Sequence, residues 1–89
     1  MGRYVIERNV PGAGQMDAAA LHELSAKSNA VLADMSDIEW IQSYVTEDKL
    51  FCVYESKDPE LIREHAEKGG FPCDAIREVS GVITPETGK

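Results

Sequence analysis

Residues 38–56 read Ile-Glu-Trp-Ile-Gln-Ser-Tyr-Val-Thr-Glu-Asp-Lys-Leu-Phe-Cys-Val-Tyr-Glu-Ser. β-Branched and aromatic side chains crowd both halves, with Glu47-Asp48 between them, so the stretch predicts two strands joined by a tight turn. A two-residue loop sets Ser43 opposite Cys52 and Tyr44 opposite Phe51. Alternation then places Ile41, Ser43, Val45, Leu50, Cys52 and Tyr54 on one face, and Trp40, Gln42, Tyr44, Phe51 and Val53 on the other. Both faces carry apolar groups, so neither reads as fully solvated.

Downstream, Asp58 is a helix N-cap, Pro59 occupies the first helical position and Glu60 complements the positive helix end. Leu61, Ile62, His65 and Ala66 share one side of this helix, and Gly69-Gly70 followed by Pro72 ends it. Upstream, a helix starts at Asp17, with Met16 and Leu21 fitting a hydrophobic staple. Its stripe is Leu21, Leu24, Ser28, Val31 and Met35, and it is expected to end around Asp34–Ser36. Residues 3–8 predict a strand with Tyr4 and Ile6 on one face and Val5 and Glu7 on the other, and residues 10–14 break it. The last strand is expected over Ala75–Ile83.

The order β-α-β-β-α-β is the split βαβ, ferredoxin-like arrangement of the α+β class. It implies a four-stranded antiparallel sheet with two helices on one face. Residues 1–83 form one domain, and residues 84–89 form a loose polar tail. The helix-free sheet face would be bare in a monomer, yet it carries apolar residues. A homodimer packed sheet face to sheet face resolves this, and it supplies burial that a small chain lacks.

With 43 % hydrophobic and 28 % charged residues, the 89-residue chain has the make-up of a soluble globular protein. Sixteen acidic residues against nine basic ones give a net charge of −7. That sign leaves no footprint for a phosphate backbone, so nucleic acid is not an expected partner. No apolar run approaches the roughly 18 residues of a membrane span. The N-terminus enters a strand pattern at once and shows no secretory signal, which points to the cytoplasm. Cys52 and Cys73 form no CxxC pair and are expected to be free thiols.

His65 lies on or beside the buried stripe of its helix, where an imidazole binds metal, moves protons or forms one structural hydrogen bond. Glu7 follows Ile6 directly and is either a carboxylate turned into a cavity or half of a salt bridge with a base such as Arg8. Cys52 reads as a small buried hydrophobe or as pocket lining, and Cys73 as an accessible thiol. His22 is off the apolar stripe and reads as a surface histidine or a surface metal ligand. Glu64 pairs with Lys68 at i,i+4, yet it also sets a carboxylate beside His65, a donor set that borderline divalent metals accept. Glu7, Tyr44, Cys52, Tyr54 and His65 are the candidate lining of a cavity between sheet and helices. Gly12-Ala13-Gly14 lacks the third glycine of a dinucleotide fingerprint.

An ordered set of segments resembles one bacterial family. The set comprises Tyr4–Arg8, Ser28–Leu32, Trp40–Thr46, Asp48-Lys49, Cys52–Glu55, Ile62–Ala66, Gly70–Pro72 and Val82-Ile83. It is similar to the small nickel-responsive proteins classed as a domain of unknown function, and the likeness runs from Arg3 to about Pro85. The resemblance implies a ferredoxin-like subunit, a homodimer of the dimeric α+β barrel type and binding of nickel ions, with sequestration or response as the role. The pattern matches at Glu7, Ser43, Tyr44, Cys52, Tyr54 and His65. Cys73, where the family more often has Ala, and His22 depart from it. His65, His22, Glu64 and Cys73 are the candidate metal ligands. The alternative function is a small monooxygenase-like enzyme of the same barrel type, or a ligand-binding module, using a cavity around Glu7 and His65.

Overall fold

The computed structural model describes all 89 residues, Met1–Lys89. Strand β1 spans Gly2–Asn9, helix α1 Ala18–Leu32, strand β2 Ile38–Val45, strand β3 Lys49–Ser56, helix α2 Pro59–Gly69 and strand β4 Ala75–Glu78. Short 3-10 turns lie at Ala13–Gln15 and Pro85–Gly88. The strands form one antiparallel sheet in the order β2-β3-β1-β4. Each helix therefore joins two strands that straddle a third, which is the ferredoxin-like α+β fold.

Local chemistry places the helices where the sequence predicts. The Asp17 carboxylate accepts from the Ala20 amide at 2.9 Å and opens α1, and Asp58 accepts from Leu61 at 3.1 Å and opens α2. Gly70, at φ 68°, takes the left-handed conformation that stops α2, and the Phe71 amide returns to the Ala66 carbonyl at 2.8 Å. That return folds the Phe71 ring back under the helix end.

Both helices pack on the sheet face that carries Tyr4, Ile6, Leu50, Cys52 and Tyr54, with Ile62 of α2 at the centre of the core. Only 13 of 89 residues are buried, so this is a thin core on one side of the sheet. The opposite face holds Val5, Phe51 and Val53 half-buried beside exposed Tyr44.

Three local features depart from the sequence pattern. The predicted pairs Ser43–Cys52 and Tyr44–Phe51 form, but a β-bulge between Trp40 and Gln42 shifts the register beyond them. Trp40 stands opposite Tyr54, on the helix side and not with Tyr44, because one extra residue reverses the parity of the strand. Ile41, expected to share a face with Cys52 and Tyr54, is 40 % exposed. Strand β4 stops at Glu78 and not at Ile83: its ladder to β1 ends at the Tyr4–Glu78 pair, the Val79 amide adds one bond to the Arg3 carbonyl at 2.8 Å, and β1 itself begins at Gly2. The segment beyond it leaves Val82 and Ile83 in solvent, and the tail closes a 3-10 turn through reciprocal Thr84 and Thr87 hydrogen bonds. Helix α1 also ends at Leu32, two residues before the expected limit.

The Phe71 ring packs so closely on the end of α2 that a Cβ at Gly69 would lie 2.1 Å from it. Gly69→Ala should displace the ring and destabilise the fold by about 1–3 kcal/mol. Urea unfolding measures this, and an unchanged midpoint would contradict the close approach.

Candidate functional site

Helix α1 faces the sheet with a stripe that only half fills the space, Ser28 being its one fully buried residue. The space left is a cavity of about 240 Å³. Leu21, Leu24, Trp40, Val45, Leu50 and Phe71 form its apolar walls, and Arg8, Ser28, Tyr54 and His65 form its polar end. No aspartate or glutamate lines it. A neighbouring hollow shares Arg8, Leu24, Leu50 and Phe71 and adds Lys27 and Pro72.

Four elements each deliver one polar group. Arg8 ends the inward run Tyr4-Ile6-Arg8 of β1, and Tyr54 comes from β3. His65 comes from the buried side of α2, and Ser28 from α1. The Arg8 guanidinium donates to the Pro72 carbonyl and, at 3.4 Å, to the Tyr54 hydroxyl. The Tyr54 hydroxyl lies 3.4 Å from His65 Nδ1, and His65 Nε2 lies 3.1 Å from Ser28 Oγ. Arginine only donates, so the Tyr54 hydroxyl accepts from Arg8. When that hydroxyl donates to Nδ1, the imidazole proton sits on Nε2 and points at Ser28. The two 3.4 Å contacts are long and weak. Phe71 and Tyr54 stack obliquely on His65, with ring centroids 5.3 and 5.5 Å away.

Charge in this cluster is one-sided. Burial opposes the Arg8 charge, but the neighbouring Tyr54 hydroxyl and Cys52 thiol hold its pKa above the ordinary arginine value. Burial raises the Tyr54 pKa, against the pull of Arg8. Burial, and then the Arg8 charge, lower the His65 pKa below 6.5, so the ring is neutral at pH 7. The cavity thus holds one fixed positive charge, and its other polar groups are neutral. A divalent cation does not fit there: the nearest ionised group repels it, no carboxylate lines the site, and both His65 nitrogens face hydroxyls.

The structure brings Cys52, Tyr54 and His65 together and separates the other candidates. Glu7 does not line the cavity. It points from the opposite sheet face and pairs with Lys49 at 3.2 Å rather than with Arg8. Tyr44 lies on that same face, 58 % exposed. Glu64 is exposed and bound to Lys68 at 3.1 Å, and His22 stands alone on the exposed side of α1. Cys73 is a half-buried free thiol packed against the core, and Cys52 is buried and free. No group of three His, Cys, Asp or Glu side chains gathers anywhere in the chain, so the candidate metal ligands do not form a centre. Glu7 and His65, expected to converge, lie on opposite sides of the sheet. The residue that sequence reasoning missed is Arg8, although period-two alternation with Tyr4 and Ile6 already aims it inward. Phe71 and Trp40 were missed as walls, the first because it follows a chain reversal and the second because of the bulge.

A family model described as "Nickel responsive protein SCO4226-like" matches residues 4–79. Among solved structures, the chain is similar to the crystal structure of SCO4226 from Streptomyces coelicolor A3(2). The TM-score is 0.76 at 19 % identity, covering 91 % of this chain and 99 % of that one, which supports the shared fold. No curated protein matches the chain. No helix is long and apolar enough to cross a membrane.

The lowered His65 pKa has a stability consequence of definite sign. Unfolded chains take up the imidazole proton near pH 6.5, while the folded protein does so only at lower pH. Stability is therefore full above pH 6.5 and falls as the pH drops below it. Melting temperatures of wild type and His65→Gln should diverge in slope between about pH 6.5 and 5, the variant being flatter. Parallel slopes would show that His65 does not titrate in this way.

Proposed function

We propose, because the chain belongs to the SCO4226-like nickel-responsive family, that it is a homodimeric binding protein of the cytoplasm with nickel as its cargo. The observation that carries the homodimer is the helix-free sheet face. Val5, Phe51 and Val53 lie along its middle, with Tyr44 and Ile41 exposed beside them and no element of the chain laid over them. Burying such a surface against a copy of itself adds the apolar area that a core of 13 residues lacks. The projecting Val82 and Ile83 give a second apolar contact to the same partner. His22, with its exposed imidazole on the outer side of α1, and carboxylates of the same surface are the donors for the metal, on the side of each protomer turned away from the dimer contact. The net charge of −7 raises the local cation concentration without selecting among metals.

A second reading is favoured by the cavity itself, which takes a small organic molecule between α1 and the sheet. Arg8, Ser28, Tyr54 and His65 are its polar contacts. The two readings use different places on the molecule and are compatible.

Calorimetry of tag-free protein with Ni²⁺, Zn²⁺ and Co²⁺, together with sedimentation velocity, tests the first reading. Phe51→Lys should yield monomers, and His22→Ala should weaken Ni²⁺ binding at least about tenfold in an intact dimer. Affinity unchanged in the monomer would place the metal within one chain, and the absence of binding below about 1 mM would end the nickel reading.

A further inference from the structure

We infer that the cavity binds a small apolar molecule through a carboxylate held by Arg8. This rests on the second reading above and names the chemistry of its ligand. Arg8 is 3 % exposed and permanently charged, yet none of the five ion pairs of the protein includes it. Its surroundings are neutral: the Tyr54 hydroxyl, the Pro72 carbonyl and the Phe71 face, whose centroid is 5.7 Å from the guanidinium carbon. A buried guanidinium without an anion is a costly arrangement, and an anionic ligand that enters the cavity removes that cost. Arginine carries five N–H donors, of which Pro72 and Tyr54 accept two, and its planar fork matches a carboxylate in a bidentate pair.

The surroundings agree with that head group. His65 is neutral, and with its proton on Nε2 the Ser28 hydroxyl is free to donate to the ligand. The Lys27 ammonium stands 5.4 Å from the Phe71 ring centroid and lines the adjoining hollow, a second positive charge beside the site. Apart from Ser25 and Ser43, whose Oγ already accepts from the Trp40 indole, the remaining walls are apolar, so the body of the ligand is mainly hydrocarbon. A volume of about 240 Å³ exceeds the 150 Å³ or so of a cavity that takes benzene and lies below that of drug-sized pockets. One ring with a short acid arm, or a short-chain fatty acid, fills it.

Trp40 is the one tryptophan of the chain and lines the cavity, with its indole held by a 3.0 Å hydrogen bond to Ser43 Oγ. Its emission therefore reports occupancy. Titration with 3-phenylpropanoate should shift that emission to saturation, and calorimetry should give the same Kd. The neutral 3-phenylpropanamide and inorganic phosphate should each bind at least about tenfold more weakly. Arg8→Lys, which keeps the charge and loses the fork, should weaken the acid at least about tenfold while leaving the amide unchanged. Leu24→Phe, which fills the cavity from α1, should abolish binding of both with the circular dichroism spectrum unchanged. Equal affinity for acid and amide would overturn the carboxylate assignment and leave a small-molecule cavity standing. Binding that survives Leu24→Phe would place the ligand elsewhere and overturn the proposal. Absence of binding by either compound up to about 10 mM would overturn the proposal and the cavity reading together.

Discussion

The hydrogen-bonded run from Arg8 through Tyr54 and His65 to Ser28 is the one polar thread that crosses the whole interior. It joins β1, β3, α2 and α1, every large element except the edge strands. Around it the core is small, with Tyr54, Ile6 and Ile62 as its largest fully enclosed apolar members. A buried charge is tolerated in so thin a core only because each neighbour gives it an acceptor or a π-face, and because Arg8 ties down the loop after α2 through Pro72. The thread also fixes the rotamers of its own members. The polar end of the cavity is thereby built before any ligand arrives.

That arrangement sorts the functions open to the chain. A positive interior without carboxylates repels divalent metal and attracts anions, so an interior site and a nickel site cannot coincide. The acidity of the chain as a whole resides on its surface, where Glu60, Glu64 and Glu86 pair with nearby bases. The proposed metal site thus belongs outside and the proposed anion site inside. A catalytic reading that needs Glu7 as a base meets the same obstacle: its carboxylate is on the other side of the sheet, engaged by Lys49.

Much of the fold was legible because its signals are local. Asp17, Asp58, Pro59 and Gly70 each act on backbone groups within a few residues, and each is found where it was expected. The two-residue turn fixed the pairs Ser43–Cys52 and Tyr44–Phe51 for the same reason. The bulge was not legible, since no residue type at Trp40-Ile41-Gln42 demands it, and with it went the face of Trp40. The end of β4 depends on how far β1 extends beside it, which is a long-range fact. At the site, His65, Cys52 and Tyr54 followed from periodicity. Glu7 and Tyr44 did not, because a polar residue amid apolar neighbours is not evidence of inward direction, whereas alternation is. The same alternation pointed to Arg8.

The bulge in β2 has a bearing on how the chain behaves in a crowd. The sheet has two free edges, and each exposes backbone donors and acceptors that would template another strand. One edge is β2, where the irregularity at Trp40/Gln42 interrupts the ladder. The other is β4, only four residues long. Neither gives a newcomer a long, flat run to pair with, so growth into a continuous multi-chain sheet is obstructed at both ends. Contact through the flat of the sheet consumes the surface that makes it and is self-limiting, whereas contact through an edge leaves a fresh edge behind. A misplaced residue in one strand thus helps to keep a sticky, half-covered fold from polymerising.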